Sequence, residues 1–248
     1  MIKVTVWNEN AHEKILPLVT EIYPGGIHEE VARILRECDD LEVRTATLDQ
    51  EECGLPDEVL NDTDVLIWWG HMKHPEVPDE LVAKIKRRVH LGMGFIALHS
   101  AHHSKIFKAL MGTECYLRWK ENQFERIWNI NPAHPIAQGI PSCFVLPEEE
   151  MYGEFFDIPA PESIVFLGWY KGGEVFRSGC CWTRGAGKIF YWQPGHETNK
   201  AFLNPYCRKV IQNAVHWAAP TFWRKDIRVP YTGKNAEENY ALGIEEEI

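Results

Sequence analysis

Four apolar runs recur in the first 112 residues, each separated from the next by a polar or helix-spaced stretch. They are IKVTVW (2–7), LEVRTATL (41–48), DVLIWWG (64–70) and FIALHS (95–100). DVLIWWG is apolar without alternation, as expected of a strand buried on both faces. Between the runs, Ile27, Val31, Ile34 and Leu35 share one helical face. LPDEVLNDTD reads as a short helix, and Pro78 to His90 as an amphipathic helix opening on a Pro-Asp-Glu start. HHSKIFKALMG reads as a helix closed by Gly112. A polar segment follows the first run, then Tyr23-Pro24-Gly25-Gly26, a loop signal. Strand–helix alternation of this kind predicts a parallel sheet core with helices on both faces and right-handed crossovers.

The second half is richer in strands: FERIWNI, FVL, SIVFLGWY, EVFRSGCCWTR and GKIFYW, with Arg184-Gly185-Ala186-Gly187 as a hairpin turn. A last helix over 200–218 carries Val210, Ile211, Ala214 and Trp217 at helical spacing. The expected organisation is one α/β domain over 1–220 and an acidic tail over 221–248. Exposed apolar residues near Trp223 and Tyr231 point to contacts in a homo-oligomer.

Charge narrows the partners. The net charge of −10 repels phosphate backbones, which argues against nucleic acid and leaves room for a neutral ligand such as a sugar. No apolar stretch approaches the roughly 20 residues that span a bilayer, and no secretory leader is evident, so the expected location is the cytoplasm with no membrane partner. Seven cysteines without a CxxC spacing read as reduced, structural thiols.

In an open parallel sheet, ligands bind beyond the carboxyl ends of the strands. The residues following those ends are Asn8, Glu9 and His12; Gly70, His71 and His74; His99, Ser100, His102 and His103; and Gln193, Gly195, His196 and Glu197. His28 opens the first helix on the same side. Eight of the eleven histidines therefore fall at one edge. Packed imidazoles tolerate charge poorly, so convergence favours a metal or an acid–base pair. His90 and His216 lie late in helices, where a cation suits the dipole, and His134 lies in a Pro-rich loop. These three read as structural.

GFIALHSAHHS makes a tight strand-to-helix elbow that lifts His99 above the sheet, with Ser100 next. GKIFYWQPGHETN ends a strand in the same way at His196 and Glu197. Glu148, Glu149, Glu150 and Glu154 follow a strand among Tyr152, Phe155 and Phe156, a mixture of carboxylates and aromatic platforms that suits a sugar. Trp7, Trp68, Trp69, Trp119 and Trp169 are further platforms, although core packing is the expected work of most. There is no Walker loop, no GxGxxG after the first strand and no HExxH.

VTVWNE, YPGGIH, TDVLIWWGHMKH, GMGFIALHSAHHSKIFKALMGT, PEEEMYGEFFDIP, GGEVFRSG and RGAGKIFYWQPGHET resemble the ThuA-like, or trehalose-utilisation, family from about residue 3 to 217. The resemblance implies the flavodoxin-like fold of class I glutamine amidotransferases. In those enzymes the elbow carries a nucleophilic cysteine; here it carries His99, while His196 and Glu197 match the later histidine segment. Cys115 lies beyond the helix, so glutaminase chemistry is not expected. The resemblance also implies a role in catabolism of trehalose or related disaccharides, including a 3-keto sugar made by a partner dehydrogenase.

The expected function is an enzyme acting on a sugar or oxidised sugar, with His99, Ser100, His102, Glu150, His196 and Glu197 as the catalytic set. A zinc ion would draw its ligands from His28, His71, His99 and His196, with Glu150 or Glu154 as base. Without metal, His196 oriented by Glu197 is the general base. The alternative from another class is a non-catalytic sugar-binding or accessory subunit using the same pocket.

Overall fold

The computed structural model describes residues 1–227. Nine strands form a single sheet: β1 (Ile2–Asn8), β2 (Leu41–Thr47), β3 (Val65–Trp69), β4 (Gly94–Leu98), β5 (Arg118–Asn129), β6 (Cys143–Gly153), β7 (Ser163–Tyr170), β8 (Val175–Arg184) and β9 (Gly187–Trp192). Their order is β2-β1-β3-β4-β9-β8-β7-β5-β6. The pairings from β2 to β9 are parallel, and those from β9 to β6 are antiparallel. A wholly parallel core thus describes only the first half. The second half pairs antiparallel, with β7–β8 and β8–β9 joined by turns of four and two residues, too short for any crossover.

The helices are α1 (His12–Ile15), α2 (Pro17–Ile22), α3 (Ile27–Leu35), α4 (Asp57–Asn61), α5 (Asp79–Leu91), α6 (Lys105–Met111) and α7 (Pro205–Ala218). Alternate strand residues supply the two cores. Val65, Ile67 and Trp69 pack with α3 and α7, whereas Leu66 and Trp68 face α5 and α6. The unbroken apolarity of the parallel strands reflects this two-sided burial, which contributes about 1.5–3 kcal/mol per large aliphatic side chain.

Three sequence expectations change. The polar segment after β1 is not all loop: it forms α1 and α2, the latter opened by Pro17 at its first position, where proline costs no hydrogen bond. β5 begins at Arg118, before the FERIWNI run, because an exposed edge ribbon needs no apolar alternation. β6 runs through Glu148–Glu150, so those carboxylates lie within a strand rather than after one. All seven cysteines are free thiols. Trp223 lies over the Arg88 guanidinium of its own chain, 4.2 Å from its ring centre. Tyr231 and most of the acidic tail lie outside the described residues.

Candidate functional site

Because β1, β3, β4 and β9 are parallel, the segments leaving their carboxyl ends meet at one edge. β1 delivers Glu9 and His12, β3 delivers His71 and His74, β4 delivers His99 to His103, and β9 delivers Gln193, His196 and Glu197. His99 occupies the elbow with φ +52°, a left-handed conformation that costs a non-glycine residue free energy and recurs at functional sites. Gly195, at φ +138°, turns the chain into His196. A side chain there would come within 2.6 Å of Phe202, so the turn requires glycine.

β6 reaches this edge by another route. The β5–β6 pairing shifts register twice between Lys120 and Glu125. Such bulges bend a ribbon and re-aim its side chains. The strand at the far end of the sheet thereby brings Glu149, Glu150 and Tyr152 to the histidines.

Two groups of potential ligands result, each with its donor atoms within 4.8 Å of one another: His99, Glu150 and His196; and His12, His71 and Glu197. In the first, the Nδ1–H of the fully buried His99 donates to the Gln193 carbonyl at 2.8 Å, which turns Nε2 toward Glu150. That Nε2 lies 3.0 Å from Glu150 Oε2. The two side chains form an ion pair buried in the site. Tyr152 Oη stands 3.3 Å from the same nitrogen. His196 Nδ1 meets Thr198 Oγ1 at 2.9 Å. The His99 and His196 rings are perpendicular, with centres 5.4 Å apart. In the second group, His71 Nδ1 pairs with Glu197 Oε2 at 3.1 Å and His12 Nε2 lies 3.4 Å from Glu197 Oε1.

The electrostatics separate the histidines. Burial disfavours charge on His99, but the Glu150 carboxylate outweighs it and pushes the pKa up to about 9. Burial and the neighbouring His99 lower His196 to about 4, so it is a neutral imidazole at neutral pH. Burial works against the Glu197 carboxylate, yet His71 and His196 hold it down at about 2. Burial keeps His102 neutral; its Nδ1–H donates to the Cys115 carbonyl at 2.9 Å. His74 is lowered to about 3 by burial and by His103.

Above the histidines opens a cavity of about 280 Å³, lined by His71, His74, Ser100, His102, His103, Glu150 and Tyr152, with Tyr116, Leu117, Trp119 and Glu121 at its wall. Tyr116 and Trp119 are 58% and 63% exposed, so their rings are available to a ligand rather than spent on the core. Trp7, Trp68 and Trp69, by contrast, are buried in the sheet cores, while Trp169 stacks edge-on with Phe124.

Not every sequence candidate joins the cluster. His28 Nδ1 meets Asn8 Nδ2 at 3.1 Å and belongs to neither ligand group. Glu154 is held by Arg177 in a bidentate pair at 2.8 Å and 2.8 Å, so it braces a loop. Ser100 Oγ donates to the Gly70 carbonyl, which ties the elbow to the neighbouring strand end. His134 caps a short turn through Ile136 N, and His216 bridges Gln212 and Asp40. Burial raises the Cys115 thiol to about 11, against any role as nucleophile.

From sequence, Glu149 groups with the carboxylates of a candidate sugar site; in the structure it is fully buried and accepts from the amides of Gly195 and His196. Its contacts cross the sheet, and nothing local in PEEEM signals them. Glu9 was visible as a strand-end residue; it accepts from the amides of Met72 and Lys73 at 2.9 Å each and so fixes the loop that carries His71.

Fold and edge together define an α/β protein with a buried histidine–carboxylate centre under an aromatic-walled cavity. Residues 3–218 match the ThuA family, described by trehalose utilisation, and the chain belongs to that family. Among solved structures it is similar to a ThuA-like protein from Parabacteroides merdae, at 15% identity and TM-score 0.63, covering 92% of this chain and 93% of that one. A ThuA-like protein from Bacteroides uniformis aligns at 16% identity and TM-score 0.60, covering 88% and 91%. A cytoplasmic protein from Salmonella typhimurium aligns at 12% identity and TM-score 0.60, covering 89% and 100%. No curated protein matches the chain. Among the described residues, no helix is long and apolar enough to cross a membrane.

Proposed function

We propose that this chain is an enzyme of disaccharide catabolism, acting on a sugar or 3-keto sugar at the histidine edge, with a divalent cation, zinc foremost, held by His99, Glu150 and His196. The observation that carries the reading is the arrangement around Glu150 Oε2. That oxygen faces His99 Nε2 at 3.0 Å in a buried ion pair, and the ligand atoms of His99, Glu150 and His196 all lie within 4.8 Å of one another. Two buried imidazoles and a carboxylate converging in this way suit a divalent cation. Histidine ligands characteristically engage their second ring nitrogen: here Nδ1 of His99 donates to the Gln193 carbonyl, while Nδ1 of His196 accepts from the Thr198 amide and meets its hydroxyl. A bound cation would displace the His99 proton and would supply Lewis acidity toward a sugar carbonyl or a water.

The chain's own residues do the rest. Tyr116 and Trp119 offer apolar faces to the C–H face of a pyranose, and Ser100, His102 and His103 line the floor against its hydroxyls. Tyr152 Oη, 3.3 Å from His99 Nε2, borders the ring that would hold the cation. Family membership under trehalose utilisation supports the substrate class.

The test is turnover of trehalose and its 3-keto derivative by untagged protein, before and after chelation. Loss of turnover on chelation, restored by zinc, is the expected result. Chelator-insensitive turnover would move the chemistry to His196 as a metal-free base, and ligand binding without turnover would make the chain a binding subunit.

A further inference from the structure

We propose a second divalent-cation site beside the first, formed by His12, His71 and Glu197, so that the edge is a two-cation centre with Glu197 as its shared carboxylate. The inference deepens the proposed function and rests on the first cation assigned there.

Four observations carry it. The two Glu197 oxygens face different histidines, Oε2 to His71 Nδ1 at 3.1 Å and Oε1 to His12 Nε2 at 3.4 Å. The Oε1 atom also lies 3.6 Å from Nε2 of His196, a ligand of the first group, which puts this carboxylate between the two clusters. His12 is only 6% exposed, and its buried Nδ1 has no hydrogen-bond partner, so the ring is packed into the site without one of the bonds a buried imidazole requires. Behind it, Glu9 Oε1 stands 3.8 Å from that Nδ1, and Glu9 is itself fixed by two backbone amides. Carboxylate, imidazole and metal in series is the usual supporting order of a histidine-bound ion.

Two imidazoles and a carboxylate suit zinc, manganese, iron or cobalt, while the absence of thiolate disfavours the softest ions. Paired cations that share a carboxylate can clamp both oxygens that change partners in a displacement, which suits bond cleavage at an oxygen-rich substrate.

The test is stoichiometry. Untagged apo-protein is dialysed against zinc chloride, freed of excess, and its zinc measured by plasma mass spectrometry. The expected result is two zinc ions per chain in the wild type, and one per chain in both His12→Gln and Glu150→Gln. Should His12→Gln fail to fold, Glu9→Gln is expected to weaken the second zinc roughly 10–100-fold and leave the first. One zinc in the wild type, unchanged in His12→Gln, would overturn the second site and leave the first standing. One zinc lost in both variants would mean a single ion drawing on both groups. No zinc at all would remove both readings.

Discussion

The two halves of the sheet contribute to the site in opposite ways. The parallel half delivers its histidines from loops just past the strand ends, where topology alone gathers them. The antiparallel half delivers Glu149, Glu150 and Tyr152 from inside β6, by bending a ribbon at its bulges. The first half thus supplies the nitrogen ligands. The second supplies a carboxylate ligand, a carboxylate that pins the His196 turn, and the cavity wall. A site built in this way has its identity in one half and its geometry in the other.

That division is open to attack. The largest effect is expected where both halves meet. Glu150→Gln and His196→Ala should each lower kcat by at least about 10²-fold while the folded structure is retained, as read by steady-state kinetics and circular dichroism. Equal activity in Glu150→Gln would detach β6 from the chemistry. Next is Glu149→Ala, which strands the buried amides of Gly195 and His196. It should cost on the order of 1–3 kcal/mol, a fall in Tm of roughly 2–12 °C, and lower kcat as His196 loses its placement. An unchanged Tm would show that the antiparallel half does not hold the turn.

Trp119→Ala should raise KM roughly tenfold, about 1.4 kcal/mol, with kcat and Tm nearly unchanged, since its ring is largely exposed. A loss of kcat instead would put Trp119 in the chemistry rather than in binding.

A separate test, of stability rather than activity, concerns Glu125, fully buried behind the site in the antiparallel half. Burial and the nearby Glu149 push its pKa up to about 8, despite bonds from Tyr170 and Ser178. The folded state therefore holds a proton that the unfolded chain releases near pH 4.5. Stability falls as pH rises from about 4.5 toward 8 and then levels. Glu125→Gln should flatten that slope in thermal melts across the range; an identical slope would mean that Glu125 is charged in the fold.

How legible this was follows from the same division. The strand-end rule places His71, His99, His196 and Glu197 from sequence, because parallel topology converts chain position into spatial position. The elbow at His99 is readable from a buried run meeting a helix start. His28 shows the limit of the rule: it opens α3 on the expected side, yet packs on Asn8 and stays out of both ligand groups. In the sequence, Glu150 reads as a catalytic base and Glu149 as one of a carboxylate run following a strand, but neither reads as lying inside a strand. Their burial depends on register shifts across β5, a long-range property with no period in the sequence. Likewise α1 and α2 were hidden, because helices this short carry little periodic signal.

The most direct measurement is zinc-edge X-ray absorption on zinc-loaded, untagged protein, wild type and Glu150→Gln. The account predicts a nitrogen and oxygen first shell with imidazole scattering and no sulfur, and in Glu150→Gln a lower zinc content. A sulfur shell, or zinc without imidazole and indifferent to Glu150, would contradict a centre assembled from both halves of the sheet.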